Sequence, residues 1–165
     1  MNGLDEIRRT MTECLCDRGI DAVSAYPGGG RTAHAGAVAA VSIRSFDGKG
    51  AGFGNSLGEW YDEEKGTWEE HYGIRARVTF GLDLFAGAEQ SEELEDAFDD
   101  LLCALHEGLP QGLRAVEITA GEVRYDRDAG MLRRDVQAVC EASLWACADE
   151  SGAFTDFRIK GEYAT

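Results

Sequence analysis

The sequence predicts an α+β fold, a mostly antiparallel sheet with two main helices packed on one face. Three observations predict it. Two segments repeat apolar residues at helical spacing. A third, Ile74 to Ala86, alternates apolar and polar residues with the period of a strand. The rest is short β-rich runs punctuated by tight turns, so hairpins outnumber crossovers.

Leu4 to Arg18 reads as the first helix. Leu4, Ile7, Met11, Cys14 and Leu15 make one apolar stripe. Asn2 is placed to cap it, Asp5 and Glu6 suit the positive end of its dipole, and Gly19 ends it. Ile20 to Ala25 is a short strand. The stretch AYPGGGRTAH follows at residues 25–34, where Pro27 and three glycines give a turn with little fixed structure of its own. Ala37 to Phe46 is rich in small and β-branched residues and reads as a strand. DGKGAGFGNSLGEW then breaks the pattern.

EWYDEE and TWEEHY flank the turn Lys65-Gly66 and predict a projecting hairpin at about residues 57–73. In Ile74 to Ala86, one face carries Ile74, Ala76, Val78, Phe80, Leu82 and Leu84. The other carries Arg75, Arg77, Thr79 and Asp83, a wet or partner-facing side. The second helix runs from Glu92 to Glu107. Ser91 caps it, Leu94, Phe98, Leu101, Leu102 and Leu105 form its stripe, and Gly108 and Pro110 stop it. Strands return at Arg114 to Gly121 and in EVRYD. The turn RDAG leads to a long strand, Met131 to Ala148, and a last strand lies in AFTDFRIKGEY. No repeat or long linker divides the chain, so 1–165 reads as a single domain.

Composition limits the function. The chain has 165 residues, 44% hydrophobic and 28% charged, as in ordinary globular proteins. No apolar run is long enough to span a bilayer, and the N-terminus has no apolar signal core. Acids outnumber bases 31 to 16, for a net charge of -15. Such a surface repels phosphate at long range, so tight nucleic-acid binding is not expected, although DNA could pass an acidic wall without sticking. Cys14, Cys16, Cys103, Cys140 and Cys147 include no CxxC pair. They read as small buried hydrophobes rather than a disulfide framework or a zinc site.

No motif carries chemistry. GGGRTAHAGAVAAV lacks the lysine and following helix of a phosphate loop. Glu69, Glu70 and His71 are consecutive in a strand and cannot all converge on a metal, and the Asp126–Asp128 turn is too short for a calcium loop. His34, His71 and His106 lie in separate segments, and no nucleophile motif is present. Trp60, Tyr61, Trp68 and Tyr72 stand in a charged ribbon, either as a cross-strand ladder or as a contact for another protein. No catalytic residue, metal or cofactor is expected. Arg31, Trp60, Tyr61, Trp68, Arg75 and Arg77 are the candidate subunit-interface residues.

The order of elements resembles the small tail terminator, or tail completion, proteins of tailed bacteriophages and prophages. The resemblance rests on LDEIRRTMTECLCDRG, the turn into AYPGGGRT, a meander of long strands, the acidic helix SEELEDAFDDLLCALHEG, and VRYDRDAGMLRRDVQAVCEASLWA. It covers about Leu4 to Ile159. It implies a structural virion-assembly protein without catalytic residues, whose copies close into a ring, usually six-fold, at the end of the tail tube. Its partners would be itself, the tail tube protein and the head-tail connector. It would be found in the host cytoplasm during assembly and then in the virion tail. A head-tail connector or minor tail protein is the alternative within virion assembly. A small-ligand-binding or enzymatic α+β domain is the alternative of another class, and that reading expects an apolar cavity with convergent polar groups.

Overall fold

The computed structural model describes residues 3–24, 36–50, 56–109, 113–148 and 154–159. In chain order these form α1 (Gly3–Asp17), β1 (Ala22–Val23), β2 (Val38–Gly50), β3 (Ser56–Asp62) and β4 (Thr67–Ala86). There follow α2 (Ser91–Glu107), β5 (Leu113–Ala120), β6 (Arg124–Asp126), β7 (Met131–Arg134), β8 (Val136–Ala148) and β9 (Phe154–Ile159). The strands join one sheet, so the class is α+β.

β4 is the spine. Its 20 residues span about 66 Å when extended. On one side it pairs with β2 and, end-on to that, with β3. On the other side it pairs with β7 and β8, which share one register: Leu84 faces Arg134 and Gly81 faces Gln137. The expected strand Met131 to Ala148 is therefore a single line of chain with an interruption at Asp135. Outside it, β6 pairs with β7, while β5 and β9 lie end-on along β8. The sheet has four columns, each antiparallel to the next, and β1 adds a two-residue parallel pairing on β2. Of the expected strand Ile20 to Ala25, the described residues 20–24 form strand at Ala22–Val23, and Ala25 lies outside the described residues. β2, by contrast, continues through the glycines to Gly50, because its pairing with β4 overrides their weak strand preference.

Both helices cover the same sheet face. From α1 come Ile7, Met11 and Leu15, one per turn, and from α2 come Leu94, Leu101 and Leu105. They meet Val78, Phe80, Leu82 and Leu84 of β4 in one core, all buried. Each such side chain contributes about 1.5–3 kcal/mol by leaving water. Leu4 falls outside the core and is exposed. Asn2, the expected cap of α1, lies outside the described residues. The helix ends as a Schellman motif, with Ile20 N donating to Leu15 O at 3.0 Å and Gly19 N to Cys16 O at 2.9 Å. Ser91 is not the cap of α2 but its first helical residue. Gln90 holds the capping position, and its side chain is otherwise engaged, accepting from Gly87 N and donating to Glu93 Oε2.

The cysteine expectation holds for Cys140, which is buried, and fails for Cys16 and Cys103, which are exposed. Cys16 lies one residue past Leu15, about 100° around the helix from the stripe, at the rim of the core, where its thiol donates to Ala22 O of β1 at 3.5 Å. The β3–β4 and β6–β7 hairpins close with the same turn, Asp-x-x-x-Gly. Asp62 Oδ1 accepts from the amides of Glu64 and Lys65, and Gly66 N donates to Asp62 O. Asp126 does the same for Asp128, Ala129 and Gly130. Gly66 and Gly130 have φ of 65° and 67°, the left-handed region this turn needs at its last residue.

Candidate assembly surface

Helices cover only part of this sheet. α2, with 17 residues, is about 25 Å long against the 66 Å of β4. From Phe80 to Ala86 every residue of β4 is buried, whichever face it points to. Toward Thr67 the strand emerges from this cover, and Trp68 and Tyr61 reach 69% and 52% exposure near the hairpin tip. The two rings are cross-strand partners, edge to face with centroids 5.5 Å apart. Beside them Lys65 Nζ bridges Glu69 (2.6 Å) and Asp62 (3.3 Å). Backbone amides hold the Asp62 carboxyl below its usual range, with Lys65 N the largest influence.

The sheet face opposite the helices carries a charge pattern. Asp83 was expected on a wet face, yet it is buried at 6% exposure. Two arginines cover it: Arg44 Nη2 lies 2.5 Å and Arg133 Nη2 3.1 Å from Oδ2. Arg133 comes from β7. Arg44 is the extra residue of a β-bulge between Ile43 and Ser45, which turns its side chain across Gly81 toward Asp83. Arg133 also stacks on Phe85 at 5.4 Å and lies 2.6 Å from Asp135, which pairs in turn with Arg124. Val38, Ala40 and Phe85 form a small second core beside this network. Farther along, the register aligns Asp47, Arg77, Glu141 and Arg114 in a row of alternating charge, and Arg114 bonds Glu141 at 2.8 Å. The outer side of α2 differs, carrying exposed Glu92, Glu93, Glu95, Asp96, Asp99 and Asp100. Charge is thus segregated between the two layers.

The third feature is the pair of lateral edges. Among the described residues, β2 has an outer partner only at Ala39 and Ala40, where β1 pairs, and β5 has none. Val116 and Ile118 on β5 and Phe46 on β2 are 37%, 38% and 37% exposed. Between β5 and the end of α2 lies a cleft of about 280 Å³, lined by Leu105, His106, Leu109, Leu113, Ala115 and Ile118 among others.

The structure distributes the candidate residues over this surface. Tyr61 and Trp68 meet at the hairpin tip. By register Trp60 stands in β3 opposite Glu69 and Tyr72 opposite Ser56, so Tyr61 and Trp68 are the directly opposed aromatic positions. Arg75 and Arg77 are exposed on the open face, away from the tip. Arg31 and the glycine run at 28–30 lie outside the described residues. His71 is buried in β4 with Nε2 3.7 Å from Glu69, while Glu70 turns to Ser56 and Tyr72. Among the described residues no three His, Cys, Asp or Glu side chains are grouped to hold a metal, and no helix is long and apolar enough to cross a membrane. The Asp83 network and the edge residues Phe46 and Ile118 were not anticipated. The alternation of arginines with Asp83 hinted at the first, but Arg133 lies 50 residues away in sequence. No protein-family model matches the chain, and a search of curated proteins returns no match.

Proposed function

We propose that the chain is a structural virion-assembly protein, a tail terminator or tail completion protein whose copies ring the end of a phage tail tube. The observation that carries the reading is the mismatch between the sheet and its cover. A sheet about 66 Å long under helices of about 25 Å leaves polar backbone edges, aromatic rings and a charged face for other molecules to cover. The order of elements, a first helix, a meander of long strands, an acidic helix and a closing set of long strands, is the order on which the sequence resemblance rests. In this reading recognition is by shape and charge, with no catalytic step and no cofactor. The partners are further copies, the tail tube protein and the head-tail connector. The protein works in the host cytoplasm during assembly and then in the tail, where DNA passes through without tight binding. The experiment is light scattering across a concentration series, paired with negative-stain images of the protein mixed with tail tubes. Rings seated on tube ends are expected. A strict monomer that leaves the tubes unoccupied would overturn the reading.

A further inference from the structure

We propose that successive copies join by continuing the sheet, the outer edge of β2 in one copy adding to the outer edge of β5 in the next. This rests on the reading of the chain as a self-assembling ring protein, and it names the contact that builds the ring.

Both edges leave a long stretch open for pairing. Natural edge strands are usually short, or guarded by lysine, proline or outward charge. β5 has eight residues without lysine or proline, and its Arg114 is drawn back onto Glu141 of its own sheet. On β2 the bulge sends Arg44 onto the sheet face, where Asp83 holds it, which leaves Asp47 and Lys49, one of each sign, as the charges along this edge. From Arg44 to Gly50 the side chains of β2 are exposed, as are those of β5 from Val116 to Ala120.

Topology then fixes direction. The two edges belong to the first and last of four columns, each antiparallel to the next, so β2 and β5 run in opposite senses. Copies related by rotation about an axis along the strands keep these senses. The new pairing is therefore antiparallel, like those inside the protomer, and every copy turns its helices to the same side. Because the two edges differ, the contact is head-to-tail, which closes into a ring when the rotation permits.

Side chains match as well. Phe46 lies across from Val78, on the helix-bearing face. Following the register through Cys140 brings the same level to Ala115 on β5. A neighbour docked without stagger therefore sets Phe46 at the mouth of the cleft lined by Leu109, Leu113, Ala115 and Ile118. A cavity of about 150 Å³ holds a benzene ring, so about 280 Å³ accommodates this phenyl group.

Cross-linking between two proteins tests the contact. Phe46→Cys and Ile118→Cys are made separately, each with Cys16→Ser and Cys103→Ser, then treated with a short bismaleimide alone and mixed. Links mapped by peptide mass spectrometry to 46–118 are expected in the mixture, with neither 46–46 nor 118–118 links in the separate samples. Like-to-like links, or no link at 46 and 118, would overturn the proposal. Light scattering on the unsubstituted chain separates the two levels of inference. Rings without the 46–118 link dismiss this edge contact and leave the assembly reading standing, whereas monomers without it dismiss both. Ile118→Lys, at a position already open to water, should reduce the assembled mass to that of the monomer while leaving the circular dichroism unchanged. Assembly that survives it also counts against the proposal.

Discussion

Replacing Gly81 with alanine probes how the open sheet face is packed. Within a strand, alanine normally gains about 0.5–1 kcal/mol over glycine. Here the added methyl would overlap Arg44 Nε and lie 2.6 Å from Ser42 Oγ. Ser42 can turn its hydroxyl aside by rotating one bond. Arg44 clears the methyl only by leaving Asp83, from which its Nη2 lies 2.5 Å away. A hydrogen bond to a charged group contributes about 1.5–3 kcal/mol, and an exposed ion pair about 0.2–1. Arg44 is 44% exposed and Asp83 only 9%, by side chain, so a loss of about 1.5–2 kcal/mol lies between those limits. Less the alanine gain, Gly81→Ala should cost about 1 kcal/mol, or about 2–4 °C in Tm for a chain of this length. With Arg44→Ala already present, the same change should be neutral or mildly stabilising. Urea and thermal unfolding of the four proteins gives the coupling, expected at about 1–2 kcal/mol. Equal costs in the two backgrounds, within about 0.5 kcal/mol, would refute the placement of Arg44 over Gly81.

Leu101→Ala removes a fully buried side chain from the shared core and should cost about 2–5 kcal/mol in urea unfolding. Asp62 and Asp126 have carboxyls held below the usual range, chiefly by the Lys65 and Ala129 amides. Their stabilising effect is therefore complete above the unfolded carboxylate value of about 4 and disappears as pH falls through the lower folded value. The gap in urea midpoint between the parent chain and Asp62→Ala should accordingly close on acidification. Burial pushes the Cys140 thiol up to about 12, so a thiol reagent at mildly alkaline pH should label Cys16 and Cys103 in the native protein and Cys140 only after unfolding.

What was legible in the sequence was what repeats locally. The stripes of α1 and α2 follow from spacing alone, and the structure keeps both except at Leu4; the alternation of β4 divides its side chains between two faces, but a wet face survives only before Phe80. The missed features depend on distant partners. Asp83 alternates with Arg77 and Thr79 and so looks wet, yet Arg44 and Arg133 arrive from β2 and β7 to bury it. Ser91 is a better cap than Gln90 by propensity, but Gln90 is already tied to Gly87 and Glu93, and the helix starts at Ser91, one residue earlier than expected. β2 crosses its glycines because β4 lies alongside, which no local preference anticipates. Only register decides which aromatics face each other across the hairpin, and it opposes Tyr61 to Trp68 but Trp60 to Glu69. One signal was available and unread: Asp-x-x-x-Gly occurs at both 62–66 and 126–130, and it marks the two tight hairpins.

The separation of charge between layers bears on how DNA could pass through a ring of such protomers. If edges join as proposed, one wall of the ring carries all the helices and the other is open sheet. The helix wall carries the exposed acids of α2, a surface that repels phosphate. The sheet wall is rich in arginine, which by itself would bind DNA. Four of its arginines, however, are answered within the protomer: Arg44 by Asp83, Arg114 by Glu141, Arg124 by Asp135, and Arg133 by Asp83, Asp126 and Asp135, while Arg77 stands in register between Asp47 and Glu141. Pairs of this kind leave little net field beyond a Debye length of about 8 Å at physiological salt. Either wall could therefore face the bore without gripping the nucleic acid. Free passage then needs no special placement of acids at the lumen, only that the open sheet face keep its internal pairing. Removing the carboxylates, as in Asp135→Asn with Glu141→Gln, should turn that face basic and produce salt-sensitive retention on a DNA column, which the parent chain should lack.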